Sequence, residues 1–279
     1  MKTVSTIKGV REVVSEWKKQ GLSVGFVPTM GFLHEGHGSL IQAATKNDRV
    51  VVSIFVNPMQ FGPTEDLGSY PRDFEKDQQY CESLGTDLIF APQANEMYQE
   101  GFCTYTDMDI LTQELCGLSR PVHFRGVCTV VNKLFNIVMP DCAYFGQKDA
   151  QQVAVIKRMV MDLNIPVEII SCPIVREEDG LAKSSRNTYL NDQERKAALC
   201  LSQSVKIGQE MVEHGECVAE TVRQAMVAHI QKEPLAHIDY LKIVDGLTMK
   251  QIEQIQKPTL VAMAVYIGKT RLIDNFSVE

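Results

Sequence analysis

Apolar positions along this chain of 279 residues follow two alternating rhythms. Val4, Ile7, Val10, Val13, Val14 and Trp17 recur every three or four residues, which predicts a helix over about 4–19. A short apolar run at 23–27 then reads as a strand, followed by a helix near 39–47. Val50 to Val56 is rich in β-branched residues and reads as a buried strand. The pattern goes on with a helix at 72–84, a strand at 88–90, an all-round apolar helix at 127–138 and a short strand at 143–145. A helix at 149–163 and a strand at 167–171 complete this part.

Strands alternating with helices predict a parallel α/β sheet with helices on both faces, a Rossmann-like arrangement. In such sheets ligands sit at the carboxyl ends of strands. From about Pro173 the texture changes. A polar stretch, Arg176 to Gly180, precedes Asn191-Asp192-Gln193-Glu194, which resembles a capping box opening a long helix to about 213. A helix at 218–231 and strands near 238–244, 260–267 and 271–274 follow. The expectation is two domains, residues 1–175 and a smaller α/β domain over 176–279.

Composition narrows the class. With 44% hydrophobic and 23% charged residues the profile is that of a globular protein. The net charge of −7 gives no general reason to expect nucleic acid or an anionic membrane. No run approaches the roughly 20 apolar residues of a membrane span, and the first residues lack a signal-peptide core, so the expected location is the cytoplasm. None of the eight cysteines forms a C-x-x-C pair, and Cys128 and Cys200 lie in apolar runs. They read as buried free thiols.

The candidate chemistry starts at Thr29-Met30-Gly31-Phe32-Leu33-His34-Glu35-Gly36-His37, between a predicted strand and a predicted helix. Helix N-termini offer backbone N–H groups and a positive dipole end to phosphate. Two imidazoles there add donors that titrate near neutral pH. The H-E-G-H spacing lacks the i, i+4 geometry of the zinc metalloprotease motif. ATP chemistry is therefore the first expectation.

Three weaker segments join it. Lys183-Ser184-Ser185-Arg186 puts two cations and two hydroxyls into four residues, suited to a polyphosphate, although many solvated loops read the same way. Gly146-Gln147-Lys148-Asp149 lies between a strand and a helix; Lys148 would reach a phosphate, while Asp149 is either a helix cap or a group that orients Lys148 or holds Mg²⁺ through water. Asn57-Pro58-Met59-Gln60-Phe61 follows a strand, and the Gln60 amide can read a hydroxyl and a carboxylate or simply stabilise a turn. Gln152, one turn after Lys148, is a possible second reader.

Taken together, these segments resemble the pantoate–β-alanine ligase family over essentially the whole chain. They are Pro28 to His37, Val52 to Phe61, His123-Phe124-Arg125-Gly126-Val127, Tyr144 to Asp149 with Gln151-Gln152, and Val175-Arg176-Glu177 through Ser184-Ser185-Arg186-Asn187. The histidine motif alone would indicate only the wider nucleotidyltransferase superfamily. The resemblance implies a Rossmann-type ATP- and pantoate-binding domain, a smaller C-terminal lid and a homodimer. It implies that ATP, (R)-pantoate and β-alanine are the small-molecule partners, with Mg²⁺. Met30, Gly31, Phe32, Leu33, His34, Glu35, Gly36 and His37 would line the ATP site, with His37 as proton donor. Gly146, Gln147, Lys148, Asp149, Val175, Lys183, Ser184, Ser185 and Arg186 would also touch ATP. The groups carrying the chemistry would be His34, His37, Lys148 and Arg186. Gln60 and Gln152 would hold pantoate, Gln60 would border β-alanine, and Asn57 would join them. The metal ligands stay unassigned, with Asp73, Asp77 and Asp149 as candidates.

The chain departs from the family pattern at Gln147 and Lys183, where glutamate and methionine are common. It also departs at Cys116-Gly117 and Pro121-Val122-His123, within a segment (112–126) that is a mobile flap in the family. Two other readings share the histidine motif: a nucleotidyltransferase acting on another small acid or phosphate, and a non-catalytic nucleotide-binding regulator. Lys148, Ser184, Ser185 and Arg186 weigh against the second.

Overall fold

The computed structural model describes residues 1–63 and 65–279. Six parallel strands form the main sheet: β1 (Lys2–Val4), β2 (Val24–Thr29), β3 (Arg49–Ile54), β4 (Leu88–Phe90), β5 (Cys142–Gly146) and β6 (Glu168–Cys172). Their order is β1-β4-β3-β2-β5-β6. The helices in this region are α1 (Ile7–Lys19), α2 (Glu35–Ala44), α3 (Phe74–Ser83), α4 (Ala94–Met97), α5 (Cys116–Ser119), α6 (His123–Val138) and α7 (Ala150–Asp162). From β2 the chain steps one way through β3 and β4, then returns to the other side of β2 with β5 and β6. The order therefore reverses between β2 and β5, where open α/β sheets bind ligands. Val24, Phe26, Val50, Val51, Ile89 and Phe90 are buried, as a sheet covered on both faces requires.

Two boundaries differ from the sequence pattern in ways that matter. Val4 fits the helical period but pairs instead with Phe90 in the edge strand β1; α1 starts at Ile7, with the Thr6 hydroxyl capping the Gly9 N–H. The helix expected near 39–47 starts at Glu35, so the histidine segment is itself the helix start.

The chain divides into two compact units. The first is Met1–Met108, Arg120–Gln147 and Val155–Pro173; the second is Asp109–Ser119, Lys148–Ala154 and Ile174–Glu279. The second unit holds an antiparallel sheet of β7 (Ala236–Asp245), β8 (Thr259–Ile267) and β9 (Thr270–Val278). Its helices are α8 (Asp192–Ala197), α9 (Leu199–Glu213) and α10 (Ala219–Ile230). The Asn191 capping box forms, but the long helix expected to 213 breaks at Ala198 into α8 and α9. Leu201, Val205, Val222, Met226, Val261 and Met263 form its core.

Specific bonds tie the two early segments into this unit. Gln151 Nε2 donates to the Leu111 and Glu114 carbonyls at 2.8 and 2.7 Å, and its Oε1 accepts from the Cys116 N–H at 2.9 Å. Lys242 Nζ lies 2.5 Å from Glu114 Oε2. No helix among the described residues is long and apolar enough to cross a membrane.

Candidate active site

Strand β2 ends at Thr29, and the chain turns sharply before α2. Gly31 and Phe32 have φ of +84° and +52°, the left-handed region that a glycine enters freely and a phenylalanine rarely does. A Cβ on Gly31 would lie 2.9 Å from Asp77 Oδ2. The loop is held by that same side chain: Phe32 N–H donates to Asp77 Oδ2 at 2.7 Å and Leu33 N–H to Asp77 Oδ1 at 2.6 Å. Asp77 is 2% exposed. Burial holds its carboxyl above the ordinary value, although the Leu33 and Phe32 amides pull the other way. Thr29 Oγ1 closes the base of the turn by accepting from Gly31 N–H and donating to the Ser53 carbonyl.

His34 is the N-cap of α2 and His37 is its third residue. His34 Nδ1 accepts from the Gly36 N–H at 3.1 Å, and His37 Nδ1 accepts from the His34 N–H at 3.3 Å. The two histidines thus form the reciprocal cap that Ser and Glu usually supply. An Nδ1 that accepts a backbone N–H carries no proton, so each neutral ring has its proton on Nε2. The ring centroids lie 4.1 Å apart. Two oriented Nε2–H donors therefore stand at a helix N-terminus, where anions are favoured.

The turn after β3 carries Asn57, Met59 and Gln60. Asn57 is 1% exposed and Gln60 8%. Asn57 Nδ2 donates to Gln60 Oε1 and to the Gly126 carbonyl, both at 3.1 Å, while Asn57 Oδ1 accepts the Tyr98 hydroxyl at 2.7 Å. Burial pushes the Tyr98 phenol up, so it remains a donor. Gln60 Nε2 points to Met30 Sδ at 3.1 Å. The Gln60 carbonyl meets His123 Nδ1 at 3.1 Å and Arg120 at 3.4 Å. Gly126 lets α6 approach closely: a Cβ there would collide with the Met59 and Gln60 backbone. Met30 and Gln60 are thus brought together, and the amide of Asn57 is used inside the protein.

In the second unit, Val175 and Lys183 pair across a tight hairpin: Lys183 N–H donates to the Val175 carbonyl at 2.9 Å, and Gly180 takes φ +95° in the turn. Ser184 caps the turn Ser185–Tyr189, its hydroxyl accepting from Arg186 N–H at 3.3 Å. Lys183 Nζ lies 3.7 Å from Glu177. Val175 and Lys183 to Arg186 are therefore one continuous structure. Gln147–Asp149 form a single 3-10 turn after β5, with Lys148 Nζ 3.9 Å from Asp149. Gln152 is half-buried in the first turn of α7.

Adjacent residues of β9, absent from the sequence reading, hold both segments. Asp274, 1% exposed, takes Arg176 in a two-pronged ion pair at 2.7 and 2.9 Å. Asn275 Nδ2 donates to the Lys148 carbonyl at 2.8 Å. An Asp-Asn pair inside the apolar stretch Leu272-Ile273 to Phe276 was the available signal, since buried polar groups need partners. Tyr98 had no signal in the sequence, and His123 stood there only within a segment carrying the resemblance and with no role, because each acts through a backbone or side chain distant in sequence.

The candidate metal carboxylates differ in what they already do. Asp77 has both oxygens on backbone amides, and Asp73 caps α3 by accepting from Lys76 N–H. Asp149 has a half-exposed side chain, which fits an ion held through water. Among the described residues no three His, Cys, Asp or Glu side chains gather as a metal cluster.

A doubly wound parallel sheet whose switch point opens onto a histidine-capped helix defines a nucleotide-binding α/β protein. A family model described as pantoate-beta-alanine ligase matches residues 2–277. A pantothenate synthetase of Ruminiclostridium cellulolyticum is 66% identical over 277 residues, 99% of each chain. The crystal structure of pantothenate synthetase from Thermus thermophilus matches with TM-score 0.94 and 45% identity, covering 99% of both chains. That of a Francisella tularensis pantoate-beta-alanine ligase complexed with beta-gamma ATP and beta-alanine matches with TM-score 0.81 and 35% identity, covering 99% of this chain and 97% of that one. The chain belongs to the pantoate–β-alanine ligase family, and it is a ligase.

Proposed function

We propose that the ATP-dependent condensation of (R)-pantoate with β-alanine on this chain runs through a pantoyl adenylate and releases AMP and diphosphate. A carboxylate acylates poorly because its leaving group would be oxide. In the first step a pantoate carboxylate oxygen attacks the α-phosphorus of ATP. The new P–O bond forms as the bond from the α-phosphorus to the bridging oxygen breaks, and diphosphate departs. In the second step the neutral amine of β-alanine attacks the acyl carbon. The C–N bond forms, the C–O bond to AMP breaks, and the proton lost by the amine passes to a phosphate oxygen of the departing AMP.

The observation that carries this reading is the mutual Nδ1 capping of His34 and His37, which turns two Nε2–H donors into fixed features of the α2 terminus. Donors set in advance suit charge that develops on a phosphate in the transition state. We assign the same role to Lys148, Ser184, Ser185 and Arg186, with Met30 to His37, Gly146, Gln147, Asp149, Val175 and Lys183 as ATP contacts. Gln60 and Gln152 are assigned to pantoate, and Gln60 also to the β-alanine position. Asn57 serves through Gln60, because its own amide is engaged. Residues 176–279 are assigned the exclusion of water from the adenylate. The active form is assigned as a cytoplasmic homodimer, in keeping with the family resemblance.

Mg²⁺ enters with ATP, and Asp149 fits a water-mediated contact to it; the ion would offset charge on the phosphates. Exchange of labelled diphosphate into ATP, run with pantoate and without β-alanine, tests the adenylate. Pantoate-dependent exchange is the expected result. Net reaction without any such exchange would remove the intermediate from the scheme.

A further inference from the structure

We infer that Asp77 is a positioning residue for adenylate formation: its buried carboxylate fixes the backbone of Gly31 to Leu33 and, through it, the start of α2 that presents His34 and His37. The inference rests on the role given above to the two histidines.

Four observations converge on this side chain. Each carboxylate oxygen takes one of two consecutive loop amides, from Phe32 at 2.7 Å and Leu33 at 2.6 Å. These amides sit next to two consecutive left-handed residues, Gly31 and Phe32, the second of which is uncommon without glycine. A conformation of that kind persists only when its surroundings over-determine it. Gly31 leaves the space that brings the carboxylate against the loop, since a Cβ would stand 2.9 Å from Oδ2. Asp77 is buried, so no solvent substitutes for it as an acceptor.

The chemistry of the group explains the residue type. Two neighbouring N–H groups pointing one way need two acceptor oxygens at fixed spacing. A carboxylate offers both; a carboxamide offers one and turns an N–H donor toward the other amide. Asp77 itself is well anchored, because its N–H donates to the Asp73 carbonyl in the first turn of α3 and Asp73 caps that helix. A rigid helix terminus thus sets the strained loop, and the loop ends at the His34 cap. Displacement of the rings by about 1 Å is enough to cost on the order of 10²-fold in rate.

The test uses Asp77→Asn and Asp77→Glu in the full chain. Pantoate-dependent diphosphate–ATP exchange is expected to fall about 10²-fold in kcat for Asp77→Asn. The KM for pantoate and the Mg²⁺ concentration for half-maximal rate should stay within about twofold of wild type. Asp77→Glu should recover part of the loss, because it restores two acceptors. A Mg²⁺ requirement that shifts strongly in Asp77→Asn would identify a metal ligand and overturn the inference, as would wild-type exchange in that variant. If the variants do not fold, amide hydrogen exchange on the wild-type protein decides: Phe32 and Leu33 should be protected like strand amides, and rapid exchange at both would refute the assignment. Absence of exchange activity in the wild type would count against the proposed reaction instead.

Discussion

Tyr98 donates its hydroxyl to Asn57 Oδ1 at 2.7 Å, and Asn57 passes the polarity on by donating Nδ2 to Gln60 Oε1 at 3.1 Å. The chain of donors fixes which end of the Gln60 amide is which. Its oxygen faces the protein, and its NH₂ group lies toward Met30. Gln60 therefore offers donors to a ligand, which suits carboxylate and hydroxyl oxygens. In Tyr98→Phe the Asn57 oxygen keeps only the longer bond from the Met59 N–H at 3.3 Å, so the orientation of the Asn57 and Gln60 amides is held less firmly. A neutral hydrogen bond contributes roughly 1 kcal/mol, and about 1.4 kcal/mol is tenfold in affinity. Steady-state kinetics should show the pantoate KM rising about three- to tenfold with the ATP KM unchanged. An unchanged pantoate KM would separate Tyr98 from substrate reading.

Asn275→Ala removes the donor on the Lys148 carbonyl and leaves a partly buried acceptor without that partner. Such losses cost about 1–3 kcal/mol. The variant is expected to unfold at lower urea concentration and to show a several-fold higher ATP KM, with the pantoate KM near wild type. A stability loss with no change in ATP KM would mean that the contact supports only the fold.

Thiol reactivity should divide the eight cysteines by burial. Cys81, Cys128 and Cys200 are buried, and desolvation pushes each thiol up to about 12, so little thiolate exists at pH 8. Cys103 and Cys217 are exposed. Mass spectrometry after brief alkylation should find label on Cys103 and Cys217 and none on the other three until denaturant is added. Early labelling of Cys128 would contradict the packing of α6.

Glu65 supplies the pH dependence. Burial raises its carboxyl, but the hydrogen bonds and charge of Arg120 outweigh that and hold it below the ordinary carboxylate value. A lowered folded-state pKa means that its contribution is fully present above the unfolded value near 4.5 and is lost as pH falls through the folded value. Arg120 also donates to the Gln60 carbonyl. The urea midpoints of wild type and Glu65→Gln should differ at pH 7 and converge as the pH falls below 4.5 and through the lowered folded-state value. A gap that widens on acidification would reverse the assignment.

What could be read from sequence was what is local. The histidine segment announced a strand-to-helix turn because Gly31, the histidines and the apolar positions of α2 lie within one short stretch. Asn191 and Glu194 announced their cap for the same reason. Strand β1 was hidden because Val4 suits a helix, and only pairing with Phe90 makes it a strand. The break at Ala198 had no local sign. Asp77, Tyr98, Asp274 and Asn275 act on partners 41 to 127 positions away, so their work is visible only after folding. In sequence Asp77 is one candidate metal carboxylate among three; its two amide bonds give it a different task.

In the proposed mechanism His34 and His37 present fixed Nε2–H donors to the α-phosphate as pantoate attacks it. Single-turnover formation of pantoyl adenylate by His37→Ala, with ATP and pantoate saturating and β-alanine absent, tests it most directly. Loss of one such donor costs on the order of 10²–10³ in rate. A fall of that size, with circular dichroism and melting temperature close to wild type, is the predicted result. Adenylate formation at near wild-type rate in the folded variant would show that His37 does not serve the α-phosphate.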